Sequence, residues 1–403
     1  MIYGIDRLKT KLELKRSRVL TRYKYYDMKH LAHDLNISTP PELQWWMSTL
    51  GWCATAVDSL ADRLVFREFA DDNFDMNGIY SMNNPDVLYR AAILGALIGS
   101  CDFIYISFDE TGYPVMQVID GTNATGTIDP ATGMLQEGYA VLERDEFMRP
   151  TTEAYFLPGK TEYYKAGTRG VTVVENDAPY PLLVPIINRP DAMRPFGRSH
   201  ISRACMSIVN SAMRTVKRSE ISAEFYSIPQ KYVLGTDPEA EPLDKWASAM
   251  STMLEITKDE DGDKPIVGQF SQQSMVPHLD QLKMFASLFA GETGLTVEDL
   301  GFASGNPASS EAIKASHENL RLKARAAQRS FGSGFLNAGY LAACVRDKQS
   351  YNRSQFYQTK PKWEPVFEPD SAALSGIGDA VIKLQQAFPD YFGEDKLKDL
   401  TGI

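Results

Sequence analysis

The stretch from Pro277 to Arg346 constrains the chain most: a helix, a loop of small residues, then a much longer helix. In the first helix Leu279, Leu282, Ala286 and Phe289 fall on one face, and Pro277 suits its opening turn. The loop from Gly301 to Ser309 is Gly, Ala, Ser, Asn and Pro apart from Phe302, so it bends easily and contributes little core. Ser309 or Ser310 is placed to cap the second helix, with Glu311 near its positive end. The apolar stripe of that helix is Ile313, Leu320, Ala324, Ala327, Phe331, Phe335, Ala338, Leu341 or Ala342, and Val345. A basic stripe of Lys314, Arg321 and Arg325 runs beside it. Gly332, Gly334 and Gly339 interrupt the pattern; each weakens a helix by about 1 kcal/mol relative to Ala, and the first two form a natural place for a kink.

A chain of 403 residues has room for about two or three domains and ample core. The longest apolar run, Ala91 to Gly99, is too short to span a bilayer, so no membrane partner is expected. The opening residues are charged and lack the apolar centre of a signal peptide. Cys53, Cys101, Cys205 and Cys344 lie far apart, which argues for reduced thiols rather than a disulfide framework or structural zinc. His30 and His33 share a spacing that suits a metal, but no third ligand stands nearby, so no metal or other cofactor is expected. The formal charge of −10 argues against a protein that grips nucleic acid by neutralising many phosphates. It is compatible with a wall that DNA slides past.

Residues 5 to 35 read as a charged helical arm anchored by Leu8, Leu12, Val19 and Leu31, with basic residues dominating from Lys9 to Lys29. Such an arm is an interaction element or simply a solvated helix face. Thr39, Pro40 and Glu42 look like a helix start, and the pattern continues through Trp45, Trp46, Met47, Leu50, Val57 and Leu60 to LADRLVFREF. A second, nearly all-apolar helix is expected from Pro85 to Ile98. From Cys101 to Ile187 short β-branched and aromatic segments alternate with Gly, Pro and Asp turns, the pattern of an antiparallel β region. Ser199 is placed to cap a long helix that ends near Pro229. Between Arg189 and Arg218 seven basic residues stand against one acidic, a local reversal of sign. A compact insert follows: strand, helix from Pro242 to Leu254, acidic turn, strand from Pro265 to Phe270. It is too small to bury much apolar area alone and is expected to pack on copies of itself.

In its order of elements the chain resembles the portal proteins of tailed bacteriophages. Local wording is similar too: LADRLVF, NRPDAMRPFGRSHIS before the first long helix, SIPQKYVLG entering the insert, and ASSEAIKASHENLRLKA opening the last long helix. The resemblance implies an α+β protomer divided into a wing (1–188), first stem helix (189–228), clip (229–276) and second stem helix (277–297). A tunnel loop (298–309), a kinked helix returning to the wing (310–368) and a short helical crown (369–403) would follow. It also implies a homo-oligomeric ring of about a dozen copies at one capsid vertex, assembled in the host cytoplasm. The ring's expected partners are double-stranded DNA passing through its bore, terminase, a head–tail adaptor, and capsid and scaffold proteins.

The tunnel loop would place Gly301, Phe302, Ala303, Ser304, Gly305, Asn306, Pro307 and Ala308 against DNA; with no basic residue among them, contact would be steric. Arg203, Arg214, Lys217, Arg218, Lys314, Arg321 and Arg325 are the candidate basic residues facing DNA or a neighbouring subunit. Asp259, Glu260, Asp261 and Asp263 are the candidate clip edge. An enzyme is the weaker alternative: no Walker A, GxGxxG, HExxH or GxSxG signature occurs, and no catalytic residue is assigned. The other alternative is a different virion connector or minor head protein.

Overall fold

The computed structural model describes residues 3–33, 39, 41–226, 231–234, 266–269, 274–302, 310–367 and 371–387. In chain order these comprise α1 (Ile5–Tyr26), α2 (Trp52–Ala61), β1 (Phe66–Ala70), α3 (Met76–Ser81), α4 (Pro85–Gly99) and strands β2 (Cys101–Phe108), β3 (Pro114–Ile119) and β4 (Ala124–Ile128). Then come β5 (Leu135–Arg144), β6 (Pro150–Leu157), β7 (Lys160–Lys165), β8 (Val171–Glu175), β9 (Leu183–Ile187) and α5 (Arg203–Tyr226). The rest are β10 (Lys231–Leu234), β11 (Ile266–Gln269), α6 (Val276–Thr293), α7 (Ser310–Ser316), α8 (Glu318–Asp347), β12 (Lys360–Trp363) and α9 (Ser371–Ala387). The fold is α+β, with long helices and small sheets.

The β-rich stretch forms two antiparallel sheets, one ordered β3-β2-β9 and the other running in sequence from β4 to β8. Short Asp-headed turns join neighbours. Asp109, for example, accepts the N–H groups of Thr111 and Tyr113 between β2 and β3. The apolar α4 is buried along most of its length between α1, α2 and the β3-β2-β9 sheet, as its composition predicts.

Three sequence expectations fail locally. The first helix ends at Tyr26, not near residue 35, and Leu31 is half exposed. Met28 adopts a left-handed conformation there, which breaks the helical path. No long helix begins at Thr39: a short 3₁₀ turn at Pro41–Leu43 gives way to a turn and irregular chain up to Gly51. That segment is tied to α5, because Ser48 Oγ donates to the Met213 carbonyl and Lys217 Nζ to the Gln44 carbonyl. Trp45 projects from it into solvent, whereas Trp52 is buried. LADRLVFREF is likewise not helical throughout, since α2 stops at Ala61 and Phe66–Ala70 is a strand.

That strand pairs antiparallel with β12, so an early and a late segment of the chain meet in one ribbon. Phe66, Tyr89, Phe335 and Trp363 gather there, with ring centroids from 4.4 to 6.2 Å apart. The long α8 crosses this core. Its interruption falls at His317, between α7 and α8, while helix continues through Gly332, Gly334 and Gly339. These glycines serve close packing: a Cβ would come within 2.7 Å of Pro361 at 332, 2.8 Å of Ile186 at 334, and 2.6 Å of Met76 at 339. The apolar stripe is buried from Leu320 to Val345, and Ile313 on α7 is exposed.

The N-terminal helix is a docked strut rather than a free arm. Leu8 and Leu12 pack on Tyr139, Val141 and Tyr155 of the five-stranded sheet. The fully buried carboxylate of Glu137 on β5 accepts the N–H groups of Tyr3 and Gly4 at 3.0 and 3.1 Å, capping α1 from another element. Tyr25 and Tyr26 fasten the far end through Asn210 and Asp58.

Candidate functional site

Two helices and the loop after them form the candidate site. α5 begins at a cap that the sequence suggested one turn too early. Ser202, not Ser199, accepts the N–H of Cys205 at 3.1 Å. Ser199 instead donates to the Ile98 carbonyl, locking the approach to α4. The face that α5 buries is Cys205, Val209, Ala212, Met213 and Ile221.

α6 lies antiparallel on α5, and polar contacts mark the seam at three levels. Ser202 Oγ donates to Glu292 at 2.8 Å, Thr215 Oγ1 lies 2.9 Å from Gln281 Oε1, and Ser222 Oγ lies 3.4 Å from His278 Nε2. Between them Ala286 and Phe289 are buried, whereas Leu279 of the expected apolar face is half exposed. Pro277 does sit in the opening turn.

At one end of the pair, β10 and β11 form an antiparallel ribbon with Leu234 opposite Ile266, both largely exposed. The expected helix Pro242–Leu254 and the acidic residues Asp259, Glu260, Asp261 and Asp263 lie outside the described residues.

At the other end α6 closes on Gly294 in the left-handed conformation. Lys323 of α8 donates to the Glu292 carbonyl at 2.6 Å, a cation on the last turn of α6. Thr296 and Asp299 then bond reciprocally, Asp299 Oδ2 accepting from Thr296 N and Thr296 Oγ1 from Asp299 N. His317 reaches back with Nε2 3.1 Å from Asp299 Oδ2, while Nδ1 stands 2.9 Å from the Ile313 carbonyl. Burial pushes the Asp299 carboxyl up, but the Thr296 N–H and hydroxyl and the His317 ring hold it below the usual range. The interruption between α7 and α8 is thus pinned to the chain leaving α6. Gly301 is exposed with φ 92° and Phe302 is half buried; Ala303, Ser304, Gly305, Asn306, Pro307 and Ala308 lie outside the described residues.

The seven candidate basic residues do not make one surface. Arg203, Lys314 and Arg325 are exposed. Arg214 is half buried beside Ser211, Arg218 is half buried with its Nε enclosed, and Arg321 makes two hydrogen bonds to Glu318 at 2.6 and 2.7 Å. Lys217 corrects the expectation outright: it is 4% exposed, its stem packed inside the protomer and its ammonium on the Gln44 carbonyl.

Sequence reasoning missed Ser202, Glu292, Asp299, His317 and Lys323, which join the helices. It also missed His200, enclosed between α4 and α5, where burial first and then Lys323 and Arg189 push its imidazole down to about 3 and keep it neutral. Among the described residues no three His, Cys, Asp or Glu side chains converge as a metal site. Among them, too, no helix is long and apolar enough to cross a membrane.

The family described as "Phage portal protein, SPP1 Gp6-like" matches residues 5–375, from the start of α1 into α9. The portal protein of Mycobacterium phage L5 is 25% identical over 391 residues, covering 90% of this chain and 80% of that protein. The portal protein of Mycobacterium phage D29 is 24% identical, covering 96% and 84%. A chain in the neck of an empty gene transfer agent particle shares 13% identity over 87% of this chain and 90% of its own, with a TM-score of 0.48. With the α5–α6 pair, the ribbon at one end and the pinned loop at the other all inside the matched span, this chain belongs to the SPP1 Gp6-like family of phage portal proteins.

Proposed function

We propose that this chain is the protomer of a ring of about a dozen copies that forms a DNA channel at one capsid vertex. Its portal-type structural role in a virus particle follows from the family; the ring, the channel and DNA translocation are the proposal. The observation that carries it is the family match over 5–375, which spans the stem pair, the ribbon and the loop in one alignment. Geometry is consistent with the assignment. α5 and α6 are held as a unit by cross-bonds along their length. The chain leaving α6 is tied to the start of α8 by the contact between Asp299 and His317.

In this reading the α5–α6 pair lines or braces the bore, the residues after Gly301 narrow it, and the region around β10 and β11 meets terminase and later an adaptor. Subunit contacts would cover exposed apolar side chains such as Leu234, Ile266, Met284 and Leu288. The mechanism is mechanical: hydrolysis of ATP belongs to a separate motor, and this chain supplies a passage and a constriction.

Negative-stain electron microscopy with mass photometry on the purified protein tests the ring. Particles with a central hole and a mass near a dozen protomers are expected. A species that stays monomeric with and without scaffold protein overturns the reading. Deleting Gly301 to Ala308 should permit ring assembly but impair packaging or DNA retention; normal DNA-filled heads would remove the loop from the mechanism.

A further inference from the structure

Seven of the eight basic residues of α1 fall into two groups with different fates. Lys9 and Arg16 lie on one flank and contact carboxylates, Lys9 with Glu153 at 2.7 Å and Arg16 with Glu13 at 4.0 Å. Arg7, Lys11, Lys15, Arg18 and Arg22 recur every three or four residues, which sets them in a single row along the opposite flank. Among the described residues none of these five forms an ion pair. Glu137 does act on Lys11, but its oxygens are taken by Tyr3, Gly4, Thr127 and Tyr155.

The row is built into the surface rather than waving above it. Lys11 donates to the Gly126 carbonyl and Arg22 to the Gly99 carbonyl. Lys11 and Lys15 bracket the ring of Phe196, with Nζ 4.7 and 4.9 Å from its centroid. Phe196 belongs to the loop before α5, so the fold joins two basic stretches that are far apart in sequence. Arg194 of that loop lies close enough to Arg22 to disfavour its charge. Burial first and then Lys15 push the Lys11 amine down to about 8. Six cations thus crowd one seam of a chain whose formal charge is −10.

We propose that the row Arg7, Lys11, Lys15, Arg18, Arg22, extended by Arg194, binds the phosphate backbone of duplex DNA at a surface separate from the α5–α6 site. Like charges held together with no ion-paired carboxylate on any of the five α1 residues call for an external polyanion. From Arg7 to Arg22 the row is about 22 Å long, enough to lie along several phosphates at the edge of a duplex. Its fixed linear spacing on a rigid helix favours a regular backbone over a compact ligand. Lys and Arg without a base-reading partner imply binding that is independent of sequence. This inference does not depend on ring formation.

The test is fluorescence anisotropy of a labelled duplex of about 20 base pairs with the full chain, between about 50 and about 200 mM salt. The triple variant Lys15→Gln/Arg18→Gln/Arg194→Gln removes three exposed cations whose side chains make no hydrogen bond or ion pair with described residues, so folding should be unchanged by circular dichroism. The slope of log affinity against log salt should fall by about 2.7, about 0.9 for each phosphate no longer neutralised. The control Lys165→Gln/Arg169→Gln/Lys348→Gln lowers net charge equally elsewhere and should keep the slope. No duplex binding by the wild type, an unchanged slope in the triple variant, or an equal loss in the control overturns the proposal. Displacement of the duplex by poly-L-glutamate at equal charge concentration also overturns it, in favour of an acidic protein segment.

Discussion

Asp102 Oδ2 occupies the place where a side chain at position 95 would begin: a Cβ built on Gly95 lies 1.7 Å from that oxygen. The glycine in α4 and the buried aspartate at the start of β2 are therefore one packing decision. Gly95→Ala should destabilise the protein by about 1–3 kcal/mol in chemical denaturation. Gly95→Ala with Asp102→Ser should recover much of that loss. Equal losses with and without Asp102 would place the strain elsewhere.

Asp102 also makes stability depend on pH. Its carboxyl is pushed well above the usual range, by burial first and by Asp120 second, against the bond from the Gly121 N–H. The folded state thus holds this proton more tightly than the unfolded chain. The stability it gives is full below the unfolded value and is lost as pH rises through the folded one. Asp102→Asn should therefore gain on the wild type as pH is raised from the acid range toward neutrality. Parallel stability curves for the two proteins would contradict the assignment.

Glu137 has the opposite sign. Burial pushes its carboxyl up, but the Tyr3 N–H, the Thr127 and Tyr155 hydroxyls and the Gly4 N–H outweigh that and hold it below the usual range. Its stability contribution is complete above the unfolded value and disappears as pH falls through the folded one. Glu137→Ala leaves several donors unpaired and should cost on the order of 3 kcal/mol at neutral pH. Amide exchange should accelerate first in the opening turns of α1; uniform acceleration across the protein would argue against a local cap.

The helical glycines separate by what they touch. Gly332→Ala meets the ring of Pro361, which cannot rotate away, and should be more damaging than Gly339→Ala, which meets the flexible Met76. Gly291, exposed on α6 with nothing within 4 Å, should gain about 1 kcal/mol on substitution by Ala. Thermal melts of the three variants give the ranking directly, and a Gly332→Ala melt above that of Gly339→Ala would reverse it.

Patterns that depend on local chemistry were legible before the fold was known. The apolar run of α4, the antiparallel β region and the buried stripe of α8 all rest on periodicity, and all appear where periodicity puts them. The failures were decided across the chain. Thr39, Pro40 and Glu42 have helix-start chemistry, yet Ser48 and Gln44 are tied to α5 and only a short 3₁₀ turn forms. Gly332 and Gly334 read as a place for a kink, and sequence does not reveal Pro361 and Ile186 pressed against them. Lys217 looked like part of a charged face because nothing local indicates that its head meets the Gln44 carbonyl. The row on α1 was visible as a basic stretch, but its union with Arg194 and Phe196 required the fold.

The ribbon between β1 and β12 has a consequence for synthesis. Phe66 pairs with Trp363, so β1 lacks its partner strand until Lys360–Trp363 has left the ribosome. Phe335 and Trp363 arrive late to a site that Phe66 and Tyr89 have left open. A nascent chain therefore cannot complete this part of its core early. Truncated products of interrupted translation lack the closing strand and should be cleared by proteolysis rather than built into particles.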